Sequence, residues 1–591
     1  MLLSHIKPTV YLLKRHIHLN WRNMGFISLQ NRAVERVTAP AEMKVQLTDA
    51  EENICELLDK CRDHIQTENG ISTTCRIAGG WVRDKLLGSQ SNDIDVALSD
   101  MMGLSFAEHL AEFAKSQNIP VGTISKIAQN PDQSKHLETA TFKLLGLELD
   151  LVNLRSEEYT SNSRIPTEVR FGTPVQDALR RDTTINALFY NVHTRKVEDF
   201  TERGLDDLRS GIIRTPLAPK ETFFDDPLRV IRCIRFASMP DDPRLIIAQL
   251  TLPAGSIGNK SYQGKARNGI DQNDERHVKH EIALNYGLII LSGRDPVQSI
   301  FLIHQLSLFD SIFSAIPDHV RSTFSQPPSS KINSLIAVSV LEILLASPSS
   351  TALPAIHPLL LSAIQKDPTS RDRLYLASTL IPYLGINYKD AKNKEFPAVS
   401  YVIRESLKLG KQSHYLDGIP PLFEAADILR QPDLTSEKFK HPSERVAIGL
   451  RIRHKAVHYP DTGSHWTSSL LFSLVRELVE CCDSFEQGLN ESAASEKIAL
   501  YNKFVERVEE LDLTAAADAK PLLDGGQVVT ALNAKAGPWT GAVLARVIEW
   551  QLEHPNGSKE ECLSWLKEQH ISGKLTIGLD EPASKRARTR K

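Results

Sequence analysis

Residues 76–98, RIAGGWVRDKLLGSQSNDIDVAL, constrain the fold more than any other stretch of the chain. An apolar lead-in ends at Gly79 and Gly80, residues 81–87 carry Arg83 and Asp84 on a helical pattern, and residues 92–98 read as a strand. Side chains alternate across a strand, so Asp93 and Asp95 share one face. A glycine turn lets backbone N–H groups approach phosphate oxygens, and the helix behind it adds positive potential. Two carboxylates fixed beside such a turn suit a metal-bound triphosphate. The pair can hold two divalent ions that clamp the attacking and leaving oxygens of a phosphoryl transfer. Asp-x-Asp alone recurs by chance on surface loops. The upstream Gly-Gly-x-x-Arg-Asp is what gives it meaning here.

The flanking sequence builds a sheet around this stretch. Residues 41–70 place Ile54, Leu57, Leu58, Cys61 and Ile65 at helical spacing. A helix follows over 106–114, then two strands, 139–143 and 147–152, that turn at Gly146. Asp150, on the second of these, is a candidate third carboxylate, and Glu148 has the same parity and is the fallback. Residues 160–175 read as a polar loop. Arg180, Arg181 and Asp182 come next in a helical setting, where Leu179, Ile185, Leu188 and Phe189 bury one side. That burial holds the arginines where they can meet a ribose or triphosphate by bidentate geometry. Residues 212–216 read as a closing strand.

The segment DDPLRVIRCIRF, residues 225–236, bears on base choice. Pro227 suits a first helical turn, where its missing N–H costs nothing. Asp226, Arg229, Arg232 and Arg235 then recur on one broad face, with Leu228, Ile231 and Ile234 on another. With a carboxylate one turn before a guanidinium, the carboxylate can accept from an exocyclic amine while the guanidinium donates to a ring nitrogen. Cytosine and adenine fit that pattern, whereas uracil and guanine reverse it. A site built to hydrogen-bond in this way rejects the wrong partner on the order of 10⁴-fold.

Together GGWVRDKLLG, NDIDVAL, LELDLVNLR, RRDTTINALFYN, GLDDLRSGIIRTP and DDPLRVIRCIRFAS, in order within residues 70–238, resemble the class II tRNA nucleotidyltransferases, the CCA-adding enzymes. PLLDGGQVV, KAGPWTG, VIEWQLEHP and KEECLSWL, within 521–566, resemble the C-terminal region of fungal members. The resemblance implies an α+β fold, with a polymerase-β-like nucleotidyltransferase head (mixed sheet plus helices) over 41–216. An all-α neck (217–300) with the nucleotide-selecting helix, a helical body (300–480) and a helical, tRNA-binding tail (481–575) would follow. It implies that Asp93 and Asp95 bind two catalytic Mg²⁺ ions and that Gly79, Gly80, Arg83, Arg180, Arg181 and Asp182 meet the nucleotide. Asp226 and Arg229 would select the base, with Arg232 and Arg235 lining the same pocket. The implied reaction adds C, C and A to the 3′ end of tRNA from CTP and ATP, with release of pyrophosphate. The head does not separate full CCA addition from CC-only, A-only or poly(A) addition, because one Asp/Arg pair serves both bases. A catalytically silent RNA-binding protein on this scaffold is the other class. The intact Asp93, Asp95, Arg181, Asp226 and Arg229 argue against it.

The sequence departs from the family pattern after residue 238. Residues 239–274 are rich in Gly, Ser and Asn and lack helical periodicity, and 239–282 reads as either a lineage-specific loop or an altered splice product. Residues 335–346, 356–364 and 372–383 carry helical apolar patterns. Arg445, Arg451, Arg453 and Lys455 form a local basic patch suited to tRNA phosphates. Such a site must be local, because the net charge of −3 over 591 residues makes no global basic field. Trp539 and Trp550 read as core residues of the tail. Residues 1–36 are basic, acid-poor until Glu35 and interspersed with apolar side chains, the pattern of a mitochondrial presequence. Initiation at Met24 and the basic run 584–591 add cytosol and nucleus as destinations. Seven cysteines without a CxxC pair read as reduced thiols, and no apolar run is long enough to span a bilayer.

Overall fold

The computed structural model describes residues 42–127, 139–158, 168–226, 228–237, 295–346, 353–483 and 488–575. The presequence-like 1–36, the atypical 239–282 and the basic 584–591 lie outside the described residues. Two compact units emerge, one drawing on residues 42–339 and 386–412, the other on 340–385 and 413–575.

The first unit opens with α1 (Asp49–Asn69), started by a capping box between Thr48 and Glu51 and stopped by Gly70 in the left-handed region. Ile54, Cys55, Leu57, Leu58, Cys61 and Ile65 are its buried stripe. Burying each of its Ile and Leu side chains contributes about 1.5–3 kcal/mol. Next come β1 (Cys75–Ala78), α2 (Gly80–Leu86), β2 (Asp93–Leu98), α3 (Gly103–Ser116), β3 (Ser125–Ile127), β4 (Thr139–Leu144) and β5 (Leu147–Asn153). After β6 (Arg155–Glu158), β7 (Glu168–Phe171) and α4 (Pro174–Leu179), the sheet is completed by β8 (Leu188–Asn191) and β9 (Lys196–Asp199). The mixed seven-stranded order is β3-β4-β5-β2-β1-β8-β9, with β2 and β5 parallel and the other neighbours antiparallel. The β4–β5 hairpin turns at Gly146, whose φ of +85° only glycine adopts without strain.

Three local expectations are corrected. Arg180, Arg181 and Asp182 are not on a helix: α4 ends at Leu179, and Thr183 is extended (φ −139°, ψ 152°). The Asp182 carboxylate accepts from the Thr183 N–H, a local bond that competes with helix continuation. Leu188 and Phe189 then lie in β8, because its backbone pairs with β1. Within 160–175, residues 168–171 are a strand that pairs with β6 rather than loop. Residues 212–216 join no strand of the sheet. Instead Arg214 turns back, its carbonyl accepting from Thr184 N–H and its guanidinium meeting Asp207.

Past α5 (Gly204–Ser210) and α6 (Pro219–Asp225) comes α7 (Leu228–Ala237), the helix expected to select the base, and then α8 (Pro296–Gln305). α9 (Ile332–Leu345) covers the apolar pattern at 335–346. The second unit is helical. Its main members are α10 (Pro368–Thr379), α11 (Tyr415–Ile428), α12 (Glu444–Ile452), α13 (Trp466–Val479) and α14 (Glu491–Glu510). They are followed by α15 (Gly525–Ala531), α16 (Trp539–Glu553) and α17 (Lys559–Ile571). The last three enclose a core of Leu523, Val528, Val547, Trp550, Cys562 and Leu566, with Trp539 packed at its margin. No helix among the described residues is long and apolar enough to cross a membrane.

Candidate active site

β2 and β5 create the site by their register. Asp95 is the parallel partner of Asp150, and Asp93 of Glu148. Alternation puts all four side chains on one face, and carboxylate oxygens of Asp93, Asp95 and Asp150 come within 4.8 Å of one another. The opposite parity, Ile94, Val96, Leu149 and Leu151, is fully buried and fixes that face. Asp150 accepts a hydrogen bond from the Thr141 hydroxyl on β4. Burial, the Asp93 charge and the Asp150 charge raise the Asp95 carboxyl to about 6, against a lowering by Arg181. Burial, Asp150 and Glu148 raise Asp93 as well. Such mutual repulsion is what a bound divalent cation relieves, so the donor set, three carboxylates and no soft ligand, fits Mg²⁺.

The Gly79–Gly80 turn packs directly on this cluster. Gly79 has φ +76°, and a Cβ there would sit 3.2 Å from Arg181 Nη1 and 3.9 Å from Asp95 Oδ2. Gly80 starts α2, which carries Arg83 inward. Arg83 donates from Nη1 to Asn186 Oδ1 (2.6 Å) and from Nε to Asp84 Oδ1 (2.9 Å). Arg181 donates from Nη2 to Asp177 Oδ2 (2.9 Å) and from Nη1 to the Asn186 carbonyl (3.2 Å), with its guanidinium over the Phe189 ring. Arg180 donates from Nε to Asp177 Oδ1 (2.8 Å). Asp177, 1% exposed, thus holds both arginines. Burial would raise its carboxyl, but the two guanidiniums outweigh it and hold it at about 2. Asp177 was missed in the sequence, although its spacing of three and four residues to the arginines was legible.

On the side expected to select the base, Asp226 caps the end of α6 rather than opening the next helix, and its carbonyl accepts from the Arg229 N–H. Arg229 Nε lies 3.8 Å from Asp226 Oδ2, so the two side chains are neighbours. Arg232 donates from Nε to Asp182 Oδ2 (2.7 Å). Arg235 lies over the Phe236 ring at 4.9 Å, and its buried Nε has no hydrogen-bond partner among the described residues. Asn186 and Phe236, like Thr141, carry no local signal in the sequence.

The basic patch belongs to the second unit. Arg445 Nε donates to the Leu552 carbonyl (2.7 Å), and Arg453 Nη2 to the Ala519 carbonyl (2.7 Å). Arg451 stacks over Phe439 at 4.7 Å, and Lys455 Nζ over Tyr459 at 4.7 Å. The structure therefore uses Arg445 and Arg453 as internal staples.

Fold and site together define a nucleotidyltransferase head of the polymerase-β type, and a family model described as the poly A polymerase head domain matches residues 75–214. A mitochondrial CCA tRNA nucleotidyltransferase of Saccharomyces cerevisiae is 34% identical over 89% of this chain and 94% of its own. That of Candida glabrata is 33% identical over 89% and 96%. The solved structure of a CCA-adding enzyme in an apo form matches the fold with TM-score 0.56 and 19% identity, covering 92% of this chain and 98% of that one. The chain belongs to the CCA tRNA nucleotidyltransferase family.

Proposed function

We propose that this chain adds CCA to the 3′ end of tRNA from CTP and ATP without a nucleic-acid template. Family membership over most of the chain supports the reading, and the observation that carries it is the Asp93/Asp95/Asp150 cluster on adjacent parallel strands. In each step the tRNA 3′-oxygen bonds to the α-phosphorus of the incoming nucleotide. The bond from that phosphorus to the bridging oxygen breaks, and pyrophosphate leaves. Asp93 and Asp95 would hold two Mg²⁺ ions, with Asp150, oriented by Thr141, as the third carboxylate. When bound, the ions supply charge neutralisation and activation of the hydroxyl. Arg83 and Arg181 hold the triphosphate, fixed by Asn186 and Asp177 before substrate arrives, so little ordering remains to be done. Arg180, Asp182, Arg232 and Arg235 line the same pocket, with Gly79 and Gly80 bringing the backbone to the phosphates. Asp226 and Arg229 read the amine and ring nitrogen shared by cytosine and adenine.

We take residues 217–300 as the neck, 300–480 as the body and 481–575 as the tail that meets tRNA. Mitochondria are the destination that the names of the fungal relatives support. Cytosol and nucleus rest on Met24 and the basic run 584–591.

The test is extension of tRNA lacking CCA with CTP and ATP, singly and together, in Mg²⁺. CTP alone adds two residues, both nucleotides add three, and chelation of the metal stops the reaction. Two C residues with no A following would make it a CC-adding enzyme, and no extension would end the reading. Asp93→Ala and Asp95→Ala each abolish incorporation and keep tRNA binding, and retained incorporation would sink the metal assignment. Asp226→Ala admits UTP or GTP, and unchanged strictness would remove this residue as selector.

A further inference from the structure

The two halves of the nucleotide site are joined through a residue with no assigned role. Asn186 closes the short 3₁₀ turn Thr184–Asn186 and is 7% exposed. Its Oδ1 accepts from Arg83 Nη1 at 2.6 Å. Its main-chain carbonyl accepts from Arg181 Nη1 at 3.2 Å. Its Nδ2 donates to Asp182 Oδ1 at 3.2 Å, and Asp182 Oδ2 accepts from Arg232 Nε at 2.7 Å. One residue therefore touches both arginines of the triphosphate side, Arg83 through its side chain and Arg181 through its main chain, and, through one carboxylate, the helix that carries Arg229. Asp182 is also 7% exposed, and its carboxyl is held down: burial would raise it, but Arg232 outweighs that. The carboxylate at the middle of the link is thus ionised and buried, while the Arg232 side chain that meets it is 41% exposed.

A second contact runs beside the first. The Phe236 ring carries the guanidiniums of Arg83 (5.3 Å), Arg232 (5.8 Å) and Arg235 (4.9 Å). A ring between cations from α2 and α7 sets their separation and offsets their repulsion. Neither Asn186 nor Phe236 needs to touch the nucleotide to matter.

We propose that Asn186 is a positioning residue that couples triphosphate placement to base choice. It fixes α7, with Arg229, in register with Arg83 and Arg181. A correctly read base then places the α-phosphorus correctly, and a misread base does not. This rests on the template-free nucleotide-adding reading above. A packing role alone would lower the use of all nucleotides together. Coupling instead changes the ratio between right and wrong ones.

The experiment measures kcat/KM for CTP, ATP and UTP on tRNA lacking CCA, for the wild-type chain, Asn186→Ala and Asn186→Asp. Alanine removes both side-chain links and leaves the main-chain bond to Arg181. Aspartate keeps the size and the acceptor for Arg83 but turns a carboxylate on Asp182, and it serves where alanine does not fold. Each variant is expected to raise the UTP-to-CTP ratio by about tenfold or more, with tRNA affinity unchanged. A common factor for all three nucleotides, with the ratio unchanged, would overturn the coupling. A wild-type chain that extends no tRNA would instead overturn the underlying function, so the two failures are distinct.

Discussion

Asp177 shows how one buried side chain sets a functional surface. Its carboxylate is held at about 2 by Arg180 and Arg181, below the ordinary value of 3.8. A depressed carboxyl stabilises the native state above its unfolded pKa, and that stability is lost as pH falls through the folded value. About 2 kcal/mol should therefore disappear between about pH 4 and pH 2. Asp177→Asn should flatten that limb in urea melts taken across the window, and an unchanged limb would exclude the clamp. The same variant should raise KM for CTP and ATP more than it lowers kcat, because Arg181 loses the acceptor that orders it. At Gly79, alanine meets both a positive φ of +76° and Arg181 Nη1 at 3.2 Å. Gly79→Ala should cost about 1–2 kcal/mol in stability and displace Arg181, seen as weakened nucleotide binding in calorimetry.

At the scale of elements, α2 is aimed by a buried ion pair. Glu51, at the start of α1, accepts from Lys85 Nζ (2.7 Å) and Trp81 Nε1 (3.0 Å), both on α2. Glu51 and Lys85 are 2% and 3% exposed. Removing one partner strands a buried charge, so Lys85→Met should cost about 3–5 kcal/mol in denaturant unfolding. Adding Glu51→Gln should restore part of that loss, and strict additivity of the two would refute the pairing. In the second unit α12 lies close on α16: a Cβ on Gly449 would come 2.6 Å from Leu552 Cδ2. Arg445 closes the same junction through the Leu552 carbonyl. Arg445→Ala should lower the melting temperature, and the salt dependence of tRNA binding should hardly change. A phosphate contact would instead reduce the salt slope by about one.

At the largest scale, the one group of carboxylates able to hold a metal ion among the described residues is Asp93, Asp95 and Asp150, and the thiols take no part in it. All seven cysteines are free thiols, five of them buried and only Cys481 and Cys482 partly accessible. Burial pushes the Cys55 and Cys61 thiols up to about 12, where the reactive thiolate is scarce. A thiol reagent should modify at most two cysteines quickly in the native chain and seven in denaturant. Rapid loss of all seven would mean that the thiols are not buried. The tail packs around Leu523, Val547, Trp550 and Leu566, with Trp539 and Trp565 packed against that core.

Local features follow from the order of residues alone. Strand parity put Asp93 and Asp95 on one face, and the glycine pair defined the turn beside them. Helical spacing named the α1 stripe, and the Asp226–Arg229 interval defined a polar pair. These follow from backbone periods of a few residues, which any reader of the chain can count. Features that join residues far apart in sequence follow only from how the elements pack. Parallel pairing of β2 with β5 made Asp150 the partner of Asp95. Strand β8, drawn to β1, broke the helical reading of Arg180–Asp182, because sheet hydrogen bonds outweigh local helical periodicity. Packing of α7 on the head joined Arg232 to Asp182 and left Asn186 between the two halves of the site. Arg445 and Arg453 look like a phosphate-binding patch in one dimension. In three, Arg445 and Arg453 also donate to the Leu552 and Ala519 carbonyls, which lie 107 and 66 residues away in sequence.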